Sequence, residues 1–398
     1  MRCLPTHDVA AARALIDDNL LSKGFRESPD VTQMKTFHCT HCDNLIFFEN
    51  VRCLSCEHPL AFLPDHGIMA ALIESPDGLW RSEIRTAQNP AEDPGYRLCA
   101  NSDQVSVCNW AVPADDPDTR CMSCRLNRVI PDLSNPRNTT AWYRLELAKR
   151  RMLYTLLGLG LPVVPKQEDG DRGLAFEFLE DSTDGDAQRV LTGHDNGLIT
   201  LNIAEADDVH REKERTLQNE PYRTLLGHFR HEIGHYFWDR LILSGPKTDA
   251  FRTVFGDERA DYQEALQRHY RDGPPARWER NFISAYATMH PWEDWAESWA
   301  HYLHMVDALE TAGAAGLALR PTRAGEPSMQ PPPDPLNPRH QDFDAMVDSW
   351  LPLTYVLNNL SRGLGLPDSY PFVLSAPVIG KLRFIHDTIN EHRTGVST

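Results

Sequence analysis

Apolar residues recur at short, irregular intervals at first and then, from about Thr140, at helical spacing. Trp142, Leu145, Leu147, Leu153, Leu156 and Leu157 sit among arginines and lysines, which predicts a long amphipathic helix ending at Gly158-Leu159-Gly160. Two strand-like runs follow, Leu174–Leu179 and Gly197–Ile203, the second after an Asp195-Asn196-Gly197 turn. Leu225, Phe229, Ile233, Phe237 and Leu241 then form a stripe at spacing four, the core-facing side of another helix. Gly234 inside that helix costs about 1 kcal/mol relative to alanine, which suits close approach of a second backbone. Further helices are predicted over 257–272, 278–311, Phe343–Leu360 and Ile379–Ile389. Upstream, residues 34–65 read as short strands around two pairs of cysteines, with too few apolar residues to fold without metal. Residues 66–135 read as turn-rich, with runs at Asn89-Pro90 and Pro113–Pro117, and 320–338, with Pro331-Pro332-Pro333, as an exposed extended connector.

The pattern gives an α+β chain, mostly helical behind a small β-rich N-terminal module. Its expected divisions are 1–33, an extension expected to be disordered, with Met34 an alternative start; 34–135; 140–320; 321–338; and 339–398, a helical segment packed on the domain before it.

The helix bearing the stripe also carries His231-Glu232-Ile233-Gly234-His235. Residues four apart share a helix face, so His231 and His235 present two imidazoles to one ion, with Glu232 beside them to take a proton from a metal-bound water. A catalytic zinc needs a third protein ligand and an open position. A third histidine six residues on is excluded, because that position is Leu241, with Trp238 where the accompanying glycine would stand. The remaining source is an acid on a later helix. In His290-Pro291-Trp292-Glu293-Asp294-Trp295-Ala296-Glu297, Pro291 opens a helix and Glu293 and Glu297 share its face. Glu293 would bind the metal and Glu297 would orient His231 through its other nitrogen; Asp257 and Glu258, in the acidic stretch 257–261, are rival ligands. Tyr286, seven residues before Glu293, is placed to donate to a developing oxyanion, the alternative being a core or surface tyrosine. Trp292, Trp295 and Trp299 read as core, His301 and His304 as helix-face residues, and His228 as a capping group or one that orients a ligand.

Eight of the nine cysteines fall into two sets. Cys39, Cys42, Cys53 and Cys56 form two CxxC pairs, the pattern of a zinc ribbon; Cys99, Cys108, Cys121 and Cys124, with a single CxxC, are read as a second structural zinc set. His38, His41 and His58 lie near the first set, but four thiolates suffice. Disulfides or buried thiols are the alternative reading, and the absence of an apolar leader after Met1 argues for a reducing, cytoplasmic setting. Cys3 is left over. The net charge of −17 disfavours nucleic acid as a partner. The first ribbon is itself acidic: Lys35 and Arg52 stand against Asp43, Glu49, Glu57 and Asp65. No apolar run reaches the length of a membrane span. Oligomeric state has no signature in the chain.

The ribbon cysteines Cys39, Cys42, Cys53 and Cys56, the His231–His235 helix continuing as Tyr236-Phe237-Trp238-Asp239, and the block from Ser284 through His304 resemble a bacterial family of zinc-binding metallopeptidases with an N-terminal zinc ribbon. The resemblance covers about residues 34–390. The peptidase part also resembles gluzincins, and its ExxAE block with a tyrosine seven residues upstream is similar to lethal-factor-type catalytic domains. That likeness implies a zincin fold, one catalytic and one or two structural zinc ions, and a peptide or protein substrate. It implies ligand roles for His231, His235 and Glu293, the base role for Glu232 and the oxyanion role for Tyr286. Pro291 departs from the pattern by setting Tyr286 outside the Glu293 helix. An extended substrate is expected to add along Leu198-Ile199-Thr200-Leu201-Asn202, taken as an edge strand. Two rivals stand beside this: a zinc-ribbon adaptor binding protein or nucleic acid with a silent hydrolase domain, and a zinc-dependent hydrolase of a non-peptide amide.

Overall fold

The structure, a computed structural model, describes residues 36–82, 95–181, 190–217, 224–243, 245–338 and 342–395. The predicted 1–33 extension, Cys3, Met34 and the Asn89-Pro90 turn lie outside them. The chain is α+β, β-rich where the cysteines lie and largely helical after residue 135.

Two cysteine knuckles open the described fold. β1 (Phe37–His38) pairs with β2 (Leu45–Ile46). Asp43 and Glu57, each following the second cysteine of a CxxC pair, both take left-handed backbone (φ 60° and 63°). Their amides bond back to Cys39 and Cys53 carbonyls at 2.8 and 3.0 Å, so both pairs turn their thiols inward by the same tight bend. The stretch read as turn-rich carries most of an antiparallel meander that begins in the short-strand module before it: β3 (Leu60–Leu63), β4 (Ile68–Glu74), β5 (Trp80–Ser82), β6 (Tyr96–Leu98) and β7 (Ala111–Pro113). Short strands interrupted by prolines and cysteines hid it. α1 (Ala100–Asp103) lies between its last two strands.

β8 (Asn127–Val129) leads into α2 (Pro136–Gly158), capped by the Asn135 side chain, which accepts from Arg137 N. After α3 (Lys166–Asp169) come β9 (Ala175–Leu179), β10 (Gly193–Asp195) and β11 (Leu198–Asn202), giving a sheet ordered β10-β11-β9-β8. β9 and β11 run parallel, while β10 folds back antiparallel on β11 across Asn196-Gly197. Both turn residues have positive φ, the two-residue hairpin geometry that Asn-Gly favours.

The helices follow: α4 (Asp208–Leu217), α5 (Leu225–Leu241), α6 (Thr248–Phe255), α7 (Tyr262–Asp272), α8 (Pro291–Ala314), α9 (Phe343–Gly363) and α10 (Ala376–Thr394). The helix expected over 278–311 begins only at Pro291; before it run two short 3-10 turns, Trp278–Arg280 and Tyr286–Thr288. The Pro-rich stretch is exposed over 322–328, but Met329, Pro332 and Pro335 are buried. Pro332 closes over Gly313, where an added Cβ would collide with the Pro332 carbonyl oxygen. It is thus a packed strap from 329 onward.

Cysteine-bearing and helical parts share one core. Tyr154 on α2 inserts among Phe37, Phe48 and Phe62 with ring centroids 6.0, 5.7 and 5.9 Å away. No helix among the described residues is long and apolar enough to cross a membrane.

Candidate metal centre

Thr224 caps α5 by accepting from Gly227 N at 3.0 Å, and Phe229, Ile233 and Phe237 are fully buried. That anchorage turns His231 and His235, one turn apart, toward the start of α8. The two helices meet backbone to backbone: a Cβ on Gly234 would lie 3.0 Å from Ala296 Cα, and Trp295 Nε1 donates to the Gly234 carbonyl at 2.8 Å. His290 opens α8, its Nδ1 accepting from Trp292 N at 3.2 Å and its Nε2 donating to Ala260 O at 3.0 Å. Pro291 takes the first helical position, where a missing N–H costs nothing.

This brings three groups together. His231 Nε2 lies 3.2 Å from His235 Nε2 and 2.9 Å from Glu293 Oε2; the third side, His235 Nε2 to Glu293 Oε2, is 3.5 Å. A tetrahedral zinc with nitrogen and oxygen ligands at about 2.0–2.1 Å holds them about 3.3 Å apart, so the triangle has zinc's size. Glu293 Oε2 is buried and faces the two imidazole nitrogens. His231 Nδ1 donates to Glu297 Oε1 at 2.7 Å, which fixes the tautomer that leaves a lone pair on Nε2. The donor set therefore fits a zinc ion.

Electrostatics agree. Burial opposes ionisation of Glu293, yet the two imidazoles hold its carboxyl well below the ordinary range. Burial likewise pushes Glu297 up, but the His231 bond and charge outweigh it and keep it at about 2. In the metal-free protein burial pulls His231 down, but Glu293 and Glu297 together raise its imidazole well above the usual value.

Glu232 is buried beside the triangle, and its Oε2 has no hydrogen-bond partner among the described residues. Tyr286 stands on the turn before α8, its ring 6.0 Å from that of His231, with burial and Glu293 pushing its phenol upward. The rival acids are engaged elsewhere: Glu258 with Arg252 at 2.6 Å, Asp257 with Arg259 at 2.8 Å, and Asp261 capping α7 through Glu264 N. Trp295 and Trp299 are core, whereas Trp292 is half-buried and stacks on His235 at 3.6 Å, walling the site. On α8, His301 is buried and bonded to Tyr370, and His304 is half-buried and bonded to Arg230. His228 pairs with Glu205 at 3.2 Å.

The expected substrate strand needs correction. Leu198–Asn202 is β11, flanked by β10 and β9, so it is internal, and Ile199 and Leu201 are fully buried. The Asn-Gly turn supplies an extra strand, β10, which takes over the edge. His194 of β10 has a buried side chain, its ring 6.2 Å from both His235 and Trp292. Sequence reasoning passed over Tyr262 as well, whose hydroxyl donates to Glu293 Oε1 at 2.8 Å. A lone tyrosine 31 residues before the glutamate obeys no spacing rule, and the three residues of β10 are too few to show alternation.

Both cysteine sets converge too: Cys39 with Cys42, Cys53 and Cys56, and Cys99 with Cys108, Cys121 and Cys124. The pairs Cys39–Cys56, Cys42–Cys53 and Cys108–Cys121 each stand 3.6 Å apart, close to the roughly 3.8 Å of thiolates on one zinc and far from a disulfide bond of about 2.05 Å. His41 and His58 stack on each other at 3.9 Å, outside the set of four.

Residues 138–388 match the family described as "Putative zinc-binding metallo-peptidase", and residues 36–135 match a zinc-ribbon domain. The chain belongs to that metallopeptidase family. Its relatives include uncharacterized proteins of Mycobacterium bovis and Mycobacterium tuberculosis, each 45% identical over 359 residues, which is 90% of this chain and 96% of theirs. No solved structure matches. In this family member the two matched regions meet just before α2, the helix that inserts Tyr154 into the ribbon.

Proposed function

We propose that this metallopeptidase-family protein hydrolyses peptide bonds with one zinc held by His231, His235 and Glu293, and that each four-cysteine set holds a structural zinc. The observation that carries the reading is the zinc-sized triangle with the bare Glu232 carboxylate next to it. Zinc held there would supply a water of lowered pKa and a polarising charge for a bound carbonyl. Glu232 takes the water's proton on Oε2 and returns it to the leaving amine. Tyr286, kept protonated by burial and by Glu293, donates to the oxygen on which charge develops. Glu297 holds the His231 ring in place. The outer edge of β10 receives the substrate backbone as an added strand, a recognition mode largely blind to sequence, and Trp292 forms a wall. Cysteines grouped as metal-ligand sets rather than as disulfides suit a reducing, cytoplasmic setting.

The test is Glu232→Gln assayed on casein and on a peptide library. Hydrolysis is expected to fall about 10²- to 10⁴-fold, with zinc content unchanged at one ion for each of the three ligand sets. Undiminished hydrolysis would overturn the proposal.

A further inference from the structure

We propose that Tyr262 is a positioning residue of the metal centre, holding one oxygen of Glu293 so that only the other faces the imidazoles. This rests on the zinc reading above. The two carboxylate oxygens of Glu293 have different surroundings: Oε2 lies 2.9 and 3.5 Å from the histidine nitrogens, while Oε1 accepts from the Tyr262 hydroxyl at 2.8 Å. A carboxylate with one oxygen occupied by a donor has a fixed rotation about its last bond and presents a single ligand atom. Left free, it would swing between one-oxygen and two-oxygen binding.

Tyr262 is itself held. It begins α7 directly after the cap Asp261, and the preceding Ala260 carbonyl accepts from His290, the residue that caps α8. The tyrosine ring meets the His290 ring edge-on at 5.4 Å and the Trp292 ring at 5.9 Å. One histidine thus locks the start of α7 to the start of α8, and so sets the reach from Tyr262 to Glu293. Tyr286 neighbours Tyr262, each phenol affecting the other's ionisation. The same residue therefore anchors the ligand and stands beside the proposed oxyanion donor.

The experiment uses the full chain, stripped of its most labile metal by mild chelation and reloaded with zinc or cobalt(II). Tyr262→Phe, which keeps the ring and removes the donor, is expected to weaken zinc binding about 10- to 100-fold, the usual effect of losing a ligand's orienting partner. It should also change the cobalt visible spectrum toward a higher coordination number. A merely structural role would lower thermal stability without altering that spectrum. In the wild-type chain, zinc-induced infrared difference spectra should show the widely split carboxylate stretches of one-oxygen binding, a readout independent of whether the variant folds. Wild-type zinc affinity and an unchanged cobalt spectrum in Tyr262→Phe, or narrowly split stretches in the wild type, overturn the role of Tyr262. Glu293→Gln separates the two ideas: if it retains zinc at full affinity, the metal centre itself is misread, and if it loses zinc while Tyr262→Phe does not, only the inference about Tyr262 fails.

Discussion

His231 faces Glu297 with one nitrogen and Glu293 with the other, and both carboxylates favour its charged form over the neutral one that a metal requires. Because the metal-free imidazole binds its proton well above the ordinary value, zinc must displace that proton at neutral pH. Zinc affinity should therefore rise with pH, by up to about tenfold per unit, until the imidazole loses its proton unaided, and be level beyond. Calorimetric titration in buffers of differing ionisation enthalpy should find about one proton released per zinc at pH 7. In Glu297→Gln, which removes one of the two raising charges, the release should be smaller. Zinc uptake without proton release would contradict this account. At this scale the sequence was legible where chemistry imposes spacing: two histidines on one helix face, and acids in the turn after a proline. It was silent on Tyr262 and His194, which reach the site by tertiary packing alone.

Between elements, the contact of α5 with α8 decides whether the three ligand atoms meet. Gly234→Ala adds helix propensity worth about 1 kcal/mol. Its new methyl group, however, would stand 3.0 Å from Ala296 Cα and 3.2 Å from Trp299 Cβ. Neither neighbour is a flexible tip, so overpacking of about 1–3 kcal/mol outweighs the propensity gain. The variant should unfold at lower temperature and bind the labile zinc more weakly, because separating the helices lengthens the distances from both histidines to Glu293. Higher stability with unchanged zinc affinity would show that the helices have slack. The same contact explains which elements could be read in advance. α2 and α5 bury broad apolar stripes of their own, so helical periodicity reveals them. The meander β3–β7 has strands of three to seven residues, and its order depends on pairings that no local pattern encodes. Pro291 marked the start of α8, yet the irregular run before it resembles helix in composition.

Across the whole molecule, the two cysteine sets are not equivalent. Cys42 of the first is exposed, while all four thiols of the second are buried against α2. Four thiolates around a divalent ion carry two net negative charges, and α2 answers them with buried cations. Arg150 is almost fully enclosed, its Nη1 donating to the Val107 carbonyl at 2.8 Å and lying 3.6 Å from Glu146. Lys149 Nζ stands 2.8 Å from Glu146 Oε1, and Glu146 Oε2 approaches Cys124 Sγ at 4.0 Å. Two cations therefore face three negative charges, two on the zinc-loaded cluster and one on Glu146; without the cluster, Glu146 alone would face both cations. Loss of the zinc-bound cluster, expected when one of its ligands is removed, leaves one buried cation without a partner, at a cost of about 3–5 kcal/mol. Cys121→Ser should accordingly destabilise the whole chain, peptidase part included, in a single transition followed by tryptophan fluorescence, since Trp110 and Trp142 are buried on the two sides of this contact. Cys42→Ser, which disturbs a knuckle already open to water, should leave the main transition closer to wild type and the labile zinc in place. Equal losses from both variants would mean that the ribbon acts on the fold through its apolar contact with Tyr154 rather than through charge. A smaller loss from Cys42→Ser would identify the second cluster as the electrostatic support of the helix on which the peptidase region is built.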